Sequence, residues 1–194
     1  YIDNYLYLDI SADNTDLPRL LPGTGAACFF FYGTSLNVRD HHAGVQQSNQ
    51  NAFLICNRHH VLDLSASAAS GLMVVNFRPG RLWHFTDASF AELQDKITPL
   101  ADLWGSGAQE IIEQLATASN VHERAALLSY FFLRVLRQRK TSRLDLLLDM
   151  LYLSPTTRIA DLAEQGGWSL RHFERQFAAT YGVTPKYFAR VARL

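Results

Sequence analysis

Short apolar runs separated by turn-rich polar joints fill the first third of the chain. In the first run every second residue is a large aliphatic one, Leu6, Leu8 and Ile10, which is the two-residue period of a strand. Four further runs with β-branched or aromatic residues lie at 26–32, 53–56, 61–64 and 72–77. Several short strands of this kind predict a small antiparallel β-barrel or sandwich. The polar stretch 39–51 predicts a long loop.

Beyond residue 78 the apolar period becomes helical. The pattern predicts helical turns at 82–85 and 90–93, a helix over 108–116, a longer helix over 121–139, and a leucine-striped helix over 144–151. The long helix has apolar residues at 3.6-residue spacing, namely Ala125, Leu128, Phe132 and Val135. The charged stretch 139–143 is the best candidate for a linker between two units.

Composition places the chain among globular proteins, and charge divides it in two. Hydrophobic residues make up 48% and charged residues 19% of the 194 positions, which argues against disorder. No apolar run approaches the ~20 residues of a membrane span. Residues 1–133 carry 7 basic and 13 acidic side chains, whereas residues 134–194 carry 11 basic and 5 acidic ones. The basic half is therefore expected to meet a polyanion.

A glycine turn is predicted to join two short helices near the end of the sequence. Residues 158–165 form the first helix in this interpretation, with its apolar side chains inward. Gly166 and Gly167 allow the backbone conformations that end a helix, and Trp168 is placed to anchor the turn. Ser169 is expected to cap the second helix through its hydroxyl.

The second helix is predicted to have an apolar face and a polar face. The apolar stripe consists of Leu170, Phe173, Phe177 and Tyr181. Arg171, Glu174 and Arg175 share another face in the first half of the helix, the half that enters the major groove in helix-turn-helix proteins. Arginine can bond guanine and glutamate can accept from cytosine. His172 and Gln176 flank this face and are within reach of phosphates.

The end of the second helix and the start of the next are also marked. Gly182 is expected to stop the helix. Thr184 and Pro185 open another helix, because proline at the first helical position lacks only an N–H that would be unpaired there. Val183 and Phe188 have the spacing of a hydrophobic staple across that start.

Over residues 142–194 the chain resembles the AraC/XylS family of bacterial transcription regulators. The matching motifs are Ile159-Ala-x-Leu-Ala163, Gly167-Trp-Ser169, Phe173-x-Arg-x-Phe177, Gly182-Val-x-Pro185 and Arg190-x-x-Arg-Leu194. The resemblance implies that Arg171, Glu174 and Arg175 read bases and that 187–194 begins the helix connecting two helix-turn-helix units. The second unit is absent, so the chain is expected to be a fragment of a longer regulator.

The N-terminal half resembles the sensor half of some AraC-type regulators more weakly. Its matching segments are Phe77-Arg-Pro-Gly80, Phe90-Ala-x-Leu93 and Pro99-Leu-x-x-Leu-Trp104. The resemblance implies a cupin-like fold and names no ligand. The expected architecture is α+β: a sensor domain over 1–138, β-rich over 1–78 and helical over 79–138, then an all-α helix-turn-helix unit over 142–194.

Two other functions compete with a regulator: a metal-dependent cupin-type enzyme, and a dimerisation or interaction module. A metal-dependent cupin-type enzyme would use histidines among His41, His42, His59, His60 and His84. Adjacent histidines on a strand point to opposite faces, so at most one of each pair could bind a metal. Histidines in solvated loops are the preferred interpretation, and no metal or cofactor is expected. Asp9, Asp63 and Arg78 are candidates for a polar pocket, although exposed positions are favoured. The stripe in 121–136 is a candidate dimer seam.

The sequence therefore predicts a regulator and not an enzyme. Its partners would be double-stranded DNA through Ser169, Arg171, His172, Glu174 and Arg175, a small-molecule effector of unknown identity, and a second copy in a homodimer, but no membrane. Cys28 and Cys56 lie in apolar runs, so buried free thiols in a reducing cytoplasm are expected.

Overall fold

The strands of the N-terminal half form two antiparallel sheets. The computed structural model describes residues 1–11, 17, 19–32, 36–40, 44–47, 51–66 and 69–193. Its strands are β1 (Ile2–Ile10), β2 (Gly23–Tyr32), β3 (Leu36–Asp40), β4 (Gly44–Gln47), β5 (Ala52–Arg58), β6 (Leu62–Ala66), β7 (Ser70–Phe77) and β8 (Ile97–Pro99). Five strands pair in the order β1-β7-β2-β5-β8 and three in the order β4-β3-β6.

The two sheets face each other across an apolar layer. Phe29 and Val74 of the large sheet and Val38 and Leu64 of the small sheet belong to this buried layer. Among the described strands, β1 and β8 are the edge strands of the large sheet, and β4 and β6 are the edge strands of the small sheet. A barrel would need its first and last strands to pair. Of the two predicted alternatives, barrel or sandwich, the closed barrel is therefore wrong for these residues, whereas the α+β class is confirmed.

The central strands of the large sheet are buried on both faces. On β7, Leu72 and Val74 face the small sheet, whereas Met73 and Val75 face the helices. Neighbouring residues of a strand point to opposite sides, so both sets are buried only where layers cover both sides. This burial explains why the runs at 26–32 and 72–77 are apolar without alternation.

Helices make up most of the chain after a 3₁₀ turn at Leu82–His84. They are α1 (Phe90–Leu93), α2 (Leu100–Trp104), α3 (Ser106–Thr117), α4 (Val121–Val135), α5 (Arg143–Leu153), α6 (Ile159–Gln165), α7 (Leu170–Tyr181) and α8 (Pro185–Val191). Ser142 and Asp145 start α5 with a capping box, each accepting from the other's backbone amide. No helix in the described part of the chain is long and apolar enough to cross a bilayer.

One hydrophobic core runs from the large sheet into the C-terminal helices. Phe77 of β7, Phe132 of α4 and Phe177 of α7 belong to the same buried cluster. The rings of Phe77 and Phe132 meet edge to face with centres 5.4 Å apart. A Cβ added to Gly80 would lie 2.6 Å from Leu148 of α5, so the chain after β7 passes very close to that helix. The helix-turn-helix region therefore packs directly on the rest of the chain.

Two stretches differ from the prediction. Residues 39–51, predicted as a loop, contain the end of β3 and all of β4, which pair from Asn37–Gln47 to Asp40–Gly44. Strand pairing satisfies backbone donors and acceptors without an apolar period, so the sequence pattern does not indicate it. The helix predicted over 121–139 ends at Val135. Beyond that end, the Arg137 amide donates to the carbonyl of His84 at 2.7 Å, a tertiary bond that no local pattern indicates.

The two cysteines are buried free thiols, as predicted. Cys28 and Cys56 are both fully buried on the helix-facing side of the large sheet. Burial raises the pKa of both thiols, because a thiolate would lose its hydration there. Both side chains therefore act as small apolar core residues.

Candidate nucleic-acid interface

Two glycines shape the turn between α6 and α7, each for a different reason. Gly166 has ordinary backbone angles, but a Cβ added there would lie 2.8 Å from Cδ1 of Leu147, so it permits close packing on α5. Gly167 has a φ of +68°, in the region that favours glycine. The Trp168 amide donates to the Ala163 carbonyl at 2.9 Å, which closes the end of α6.

Local chemistry sets both ends of α7. The hydroxyl oxygen of Ser169 accepts from the backbone amide of His172 at 3.3 Å, which is the predicted cap. The helix ends at Gly182, whose φ of +73° is left-handed. Thr184 caps α8 in the same way as Ser169 caps α7, and Pro185 lies in the first turn of α8.

The predicted apolar face of α7 is buried, except at its first residue. Phe173, Phe177 and Tyr181 are at most 2% exposed, and the rings of Phe173 and Phe177 lie 5.6 Å apart. Leu170 was predicted to belong to this stripe, but it is 44% exposed. Leu170 is the first residue of α7, and the core covers the helix only from Phe173 onward.

Arg171, Glu174 and Arg175 all lie exposed, away from this core. None of the three pairs with an oppositely charged side chain in the described part of the chain. A salt-bridged solvated face would require such pairs on α7. The three side chains are therefore not held in ion pairs with the described part of the chain.

The two other predicted contact residues, Ser169 and His172, are already engaged within the chain. The hydroxyl of Ser169 takes part in the helix cap. His172 is half-buried, and its ring lies 5.7 Å from that of Trp168. The Nδ1 atom of His172 lies 3.3 Å from Nη2 of Arg175, so this histidine links the core to the exposed arginine. All five residues stay predicted DNA contacts.

A buried ionic cluster ties α5 and α7 to the segment after β7. Asp145 is 1% exposed and Arg81 is 7% exposed. The Asp145 carboxylate accepts from the Tyr181 hydroxyl at 2.8 Å and lies 3.5 Å from Nη1 of Arg81, while Asp149 pairs with Nη2 of Arg81. Burial and then the charge of Asp145 raise the pKa of Tyr181, which keeps the phenol a donor. The sequence analysis missed this cluster. The feature of the sequence that could have indicated it is a pair of aspartates one helical turn apart on α5, Asp145 and Asp149.

The end of β5 holds the end of α7 and the start of α8. Asn57 is buried with a φ of +36°, and its amide Nδ2 donates to the backbone carbonyl of Tyr181. The Tyr187 hydroxyl donates to the carbonyl of Arg58 at 3.2 Å. The ring of His59 lies 4.7 Å from that of Tyr187. Asparagine tolerates left-handed backbone better than most residues, which suits it to this bend.

An apolar cavity of about 230 Å³ opens between the two sheets. Arg58 and Asn76 are its polar lining residues, and its apolar lining includes Leu8, Leu20, Phe29, Leu64, Leu72 and Val74. Asp9, Asp63 and Arg78, the candidate pocket residues, are not among its described lining. Asp63 instead pairs with Arg19 at 2.8 Å.

The histidines considered as metal ligands are not brought together. In the described ranges, no three His, Cys, Asp or Glu side chains are placed to hold a metal ion. His59 pairs with Asp95 at 2.8 Å, and His84 is fully buried. His41 and His42 lie outside the described residues.

Comparison with known proteins gives distant structural matches only. No protein-family model matches the chain, and no curated protein matches it. A 1.65 Å structure of ToxT from Vibrio cholerae matches with a TM-score of 0.41 and 11% identity, covering 97% of this chain and 98% of that one. ToxT from Vibrio cholerae O395 matches with a TM-score of 0.42 and 11% identity, covering 97% of each chain. A structure of PhpD with cadmium atoms matches with a TM-score of 0.27 and 10% identity, covering 94% of this chain and 43% of that one. Similarity at these levels assigns neither a family nor a function.

Proposed function

We propose that the chain is a sequence-specific DNA-binding transcription regulator whose N-terminal half senses an effector. The observation that supports it is an exposed trio, Arg171, Glu174 and Arg175, which forms no ion pair with the described residues. The trio lies on a helix that is capped at both ends and buried on its other side. The first half of such a helix enters the major groove, where arginine recognises guanine and glutamate recognises cytosine. The sequence resemblance of residues 142–194 to the AraC/XylS family supports the same function.

The effector site in this proposal is the cavity between the sheets. Arg58 lines this cavity, and its backbone carbonyl also accepts a hydrogen bond from the Tyr187 hydroxyl of α8. The neighbouring Asn57 contacts the carbonyl of Tyr181 at the end of α7. An effector that binds one arrangement of this junction better than another would shift the population of DNA-binding molecules.

Selection of bound sequences from random duplexes, followed by gel shifts at two salt concentrations, tests the proposal. We expect one enriched motif and an affinity that falls as salt rises, because phosphate contacts release counterions. Arg175→Ala should weaken binding by about 1–3 kcal/mol and relax one base position. Arg134→Ala is the matched control, since it removes an exposed arginine of α4 outside the helix-turn-helix. Absence of sequence-dependent binding at low salt would refute the function, and unchanged specificity of Arg175→Ala would remove that residue from base reading.

The proposed regulator acts without catalytic chemistry or a cofactor. The competing metal-dependent enzyme predicts stoichiometric iron or zinc in the purified chain, so elemental analysis separates the two functions.

A homodimer would not use the predicted apolar stripe within 121–136, since Leu128 and Phe132 are buried in the core. The outward side of α4 instead exposes Tyr130 and Leu133 by 64% and 68%. Light scattering at high concentration tests the dimer, and a monomer excludes it.

A further inference from the structure

Three basic side chains form a row along the exposed side of α8 and the turn that follows it. Lys186, Arg190 and Arg193 are all exposed, and they line one open groove of about 430 Å³. None of the three forms an ion pair with any described residue. Residues 175–194 contain no aspartate or glutamate. The positive charge of these three side chains, which we call the α8 surface, is therefore not offset by an ion pair within the described part of the chain.

The position of Lys186 is unfavourable for α8 itself. Lys186 is the second residue of the helix, where the partial positive charge of the helix dipole disfavours a cation. The first turn contains no acidic side chain that would offset this cost. Arg190, in contrast, lies in the last turn, where a cation is favoured. Helix stability therefore accounts for Arg190 but not for Lys186, and an anion bound from outside the chain would remove the cost at Lys186.

Contacts within the chain orient the two arginines. The Cζ atom of Arg190 lies 5.1 Å from the centre of the Tyr187 ring, and the hydroxyl of that ring donates to the Arg58 carbonyl at 3.2 Å. The Nε atom of Arg193 donates to the Ala189 carbonyl at 3.1 Å, whereas its Nη atoms bond no described residue. Both guanidinium groups are thus held in place before a ligand arrives, which reduces the entropy lost on binding.

We propose that the α8 surface binds the phosphate backbone of the DNA duplex that α7 contacts. The inference rests on the proposed function for its partner, and it adds a contact that carries no sequence information. Lys186 and Arg193 are seven residues apart, which is about 10 Å along a helix and close to the axial length of about three nucleotides of one strand. Lysine is depleted at protein–protein interfaces, so a row of this kind fits a uniformly charged strand better than a protein partner.

The short connection between α7 and α8 allows one duplex to reach both helices. Arg175 lies six residues before the end of α7 at Tyr181, which is about 9 Å of helix, and α8 starts four residues after that end. The rings of Phe177 and Phe188 pack with their centres 5.8 Å apart, so the two helices form one unit. The length of helix from Arg175 to the end of α7 is below the axial rise of about three base pairs.

The salt dependence of DNA binding tests the inference, because each neutralised phosphate releases counterions. Fluorescence anisotropy measures the affinity of the 194-residue chain for a duplex of random sequence and for the motif enriched by selection, between about 50 and 200 mM salt. Lys186→Gln should reduce the slope of log affinity against log salt by about 0.9, and the double variant with Arg193→Gln by about 1.8. Each variant should weaken both duplexes by the same factor, since every sequence has the same phosphates. If the double variant does not fold, Lys186→Gln alone decides.

Control variants separate charge from structure. Arg134→Gln removes an exposed arginine of α4 that also stacks on a tyrosine, at 5.9 Å from the ring centre, and it should leave the slope unchanged. Arg190→Gln should reduce the slope and Arg190→Lys should not, and equal effects of the two would overturn the inference, because charge would then not matter. A slope in Lys186→Gln equal to that in Arg134→Gln would overturn it too. Weaker heparin binding with unchanged duplex binding would also overturn it, since the surface would then bind another polyanion.

The same titrations distinguish failure of this inference from failure of the proposed function. Equal affinities for all sequences, with reduced slopes in the α8 variants, would refute sequence-specific regulation and support the phosphate contact. Selective binding that Arg175→Ala relaxes, with unchanged slopes in the α8 variants, would overturn the phosphate contact alone.

Discussion

Replacing Tyr181 by phenylalanine removes a single oxygen from the buried ionic cluster and leaves the ring packing in place. The lost hydroxyl donates to the Asp145 carboxylate at 2.8 Å. Tyr181 is 2% exposed and Asp145 is 1% exposed, so water cannot substitute for the donor. Hydrogen bonds to charged groups contribute about 1.5–3 kcal/mol, and we expect Tyr181→Phe to lower the free energy of unfolding by that amount.

Urea unfolding followed by circular dichroism measures this loss from the midpoint and slope of the transition. Tyr187→Phe is the matched control, because its hydroxyl donates to the neutral carbonyl of Arg58 and is only half-buried. It should cost about 0.5–1.5 kcal/mol. In an Asp145→Asn background the acceptor is uncharged, so the cost of Tyr181→Phe should fall to about the same range.

An unchanged unfolding midpoint in Tyr181→Phe would refute the reasoning, because it would mean that the buried bond contributes nothing. Equal losses in Tyr181→Phe and Tyr187→Phe would refute its electrostatic part. A cost that persists in full in the Asp145→Asn background would assign the effect to something other than the charged acceptor.

Three further predictions concern the cap, the sheet and a buried histidine. Ser169→Ala should cost about 1 kcal/mol of unfolding free energy and weaken DNA binding in gel shifts. Ser169→Asp should retain the stability but still weaken DNA binding, because phosphates repel its carboxylate. Gly71→Ala places a Cβ inside the van der Waals surface of the Tyr32 ring and should cost about 1–3 kcal/mol in urea unfolding. Gly25→Ala, with nothing within 4 Å, should cost much less, and similar losses in the two would contradict the overlap. Burial lowers the pKa of His84 below its ordinary 6.5. Below that pH the unfolded chain binds a proton that the folded chain does not, so stability falls as pH falls. Thermal melts should show a shallower fall in His84→Phe, and parallel curves would exclude His84 as the source.

Local sequence was sufficient for most helices and for the turn of the helix-turn-helix. The leucine stripe of α5 is buried as predicted, at Leu144, Leu147, Leu148 and Leu151. The cap at Ser169 and the stop at Gly182 also agree with the prediction. These features depend on contacts within about four residues along the chain, which a single sequence displays directly.

The pairing of strands and the course of the chain between elements were not predictable in the same way. β4 has no apolar period and exists through its pairing with β3. The end of α4 and the exposure of Leu170 depend on which distant residues lie nearby. The dipeptide Asn57-Arg58 gave no signal that it would meet Tyr181 and Tyr187, which lie far along the chain.

By itself, then, the sequence determined the α+β class, the two-faced helix α7 that carries Arg171, Glu174 and Arg175, and the charge difference between the two parts of the chain. Only the tertiary structure decided that the sheets stay separate, that Arg81 and Asp145 share a buried cluster, and that Arg58 lies between a cavity and α8. The physical reason is the distance along the sequence over which each kind of interaction acts. Helix periodicity and capping act between near neighbours, whereas sheet closure, buried ion pairs and cavities arise when segments remote in sequence are packed together.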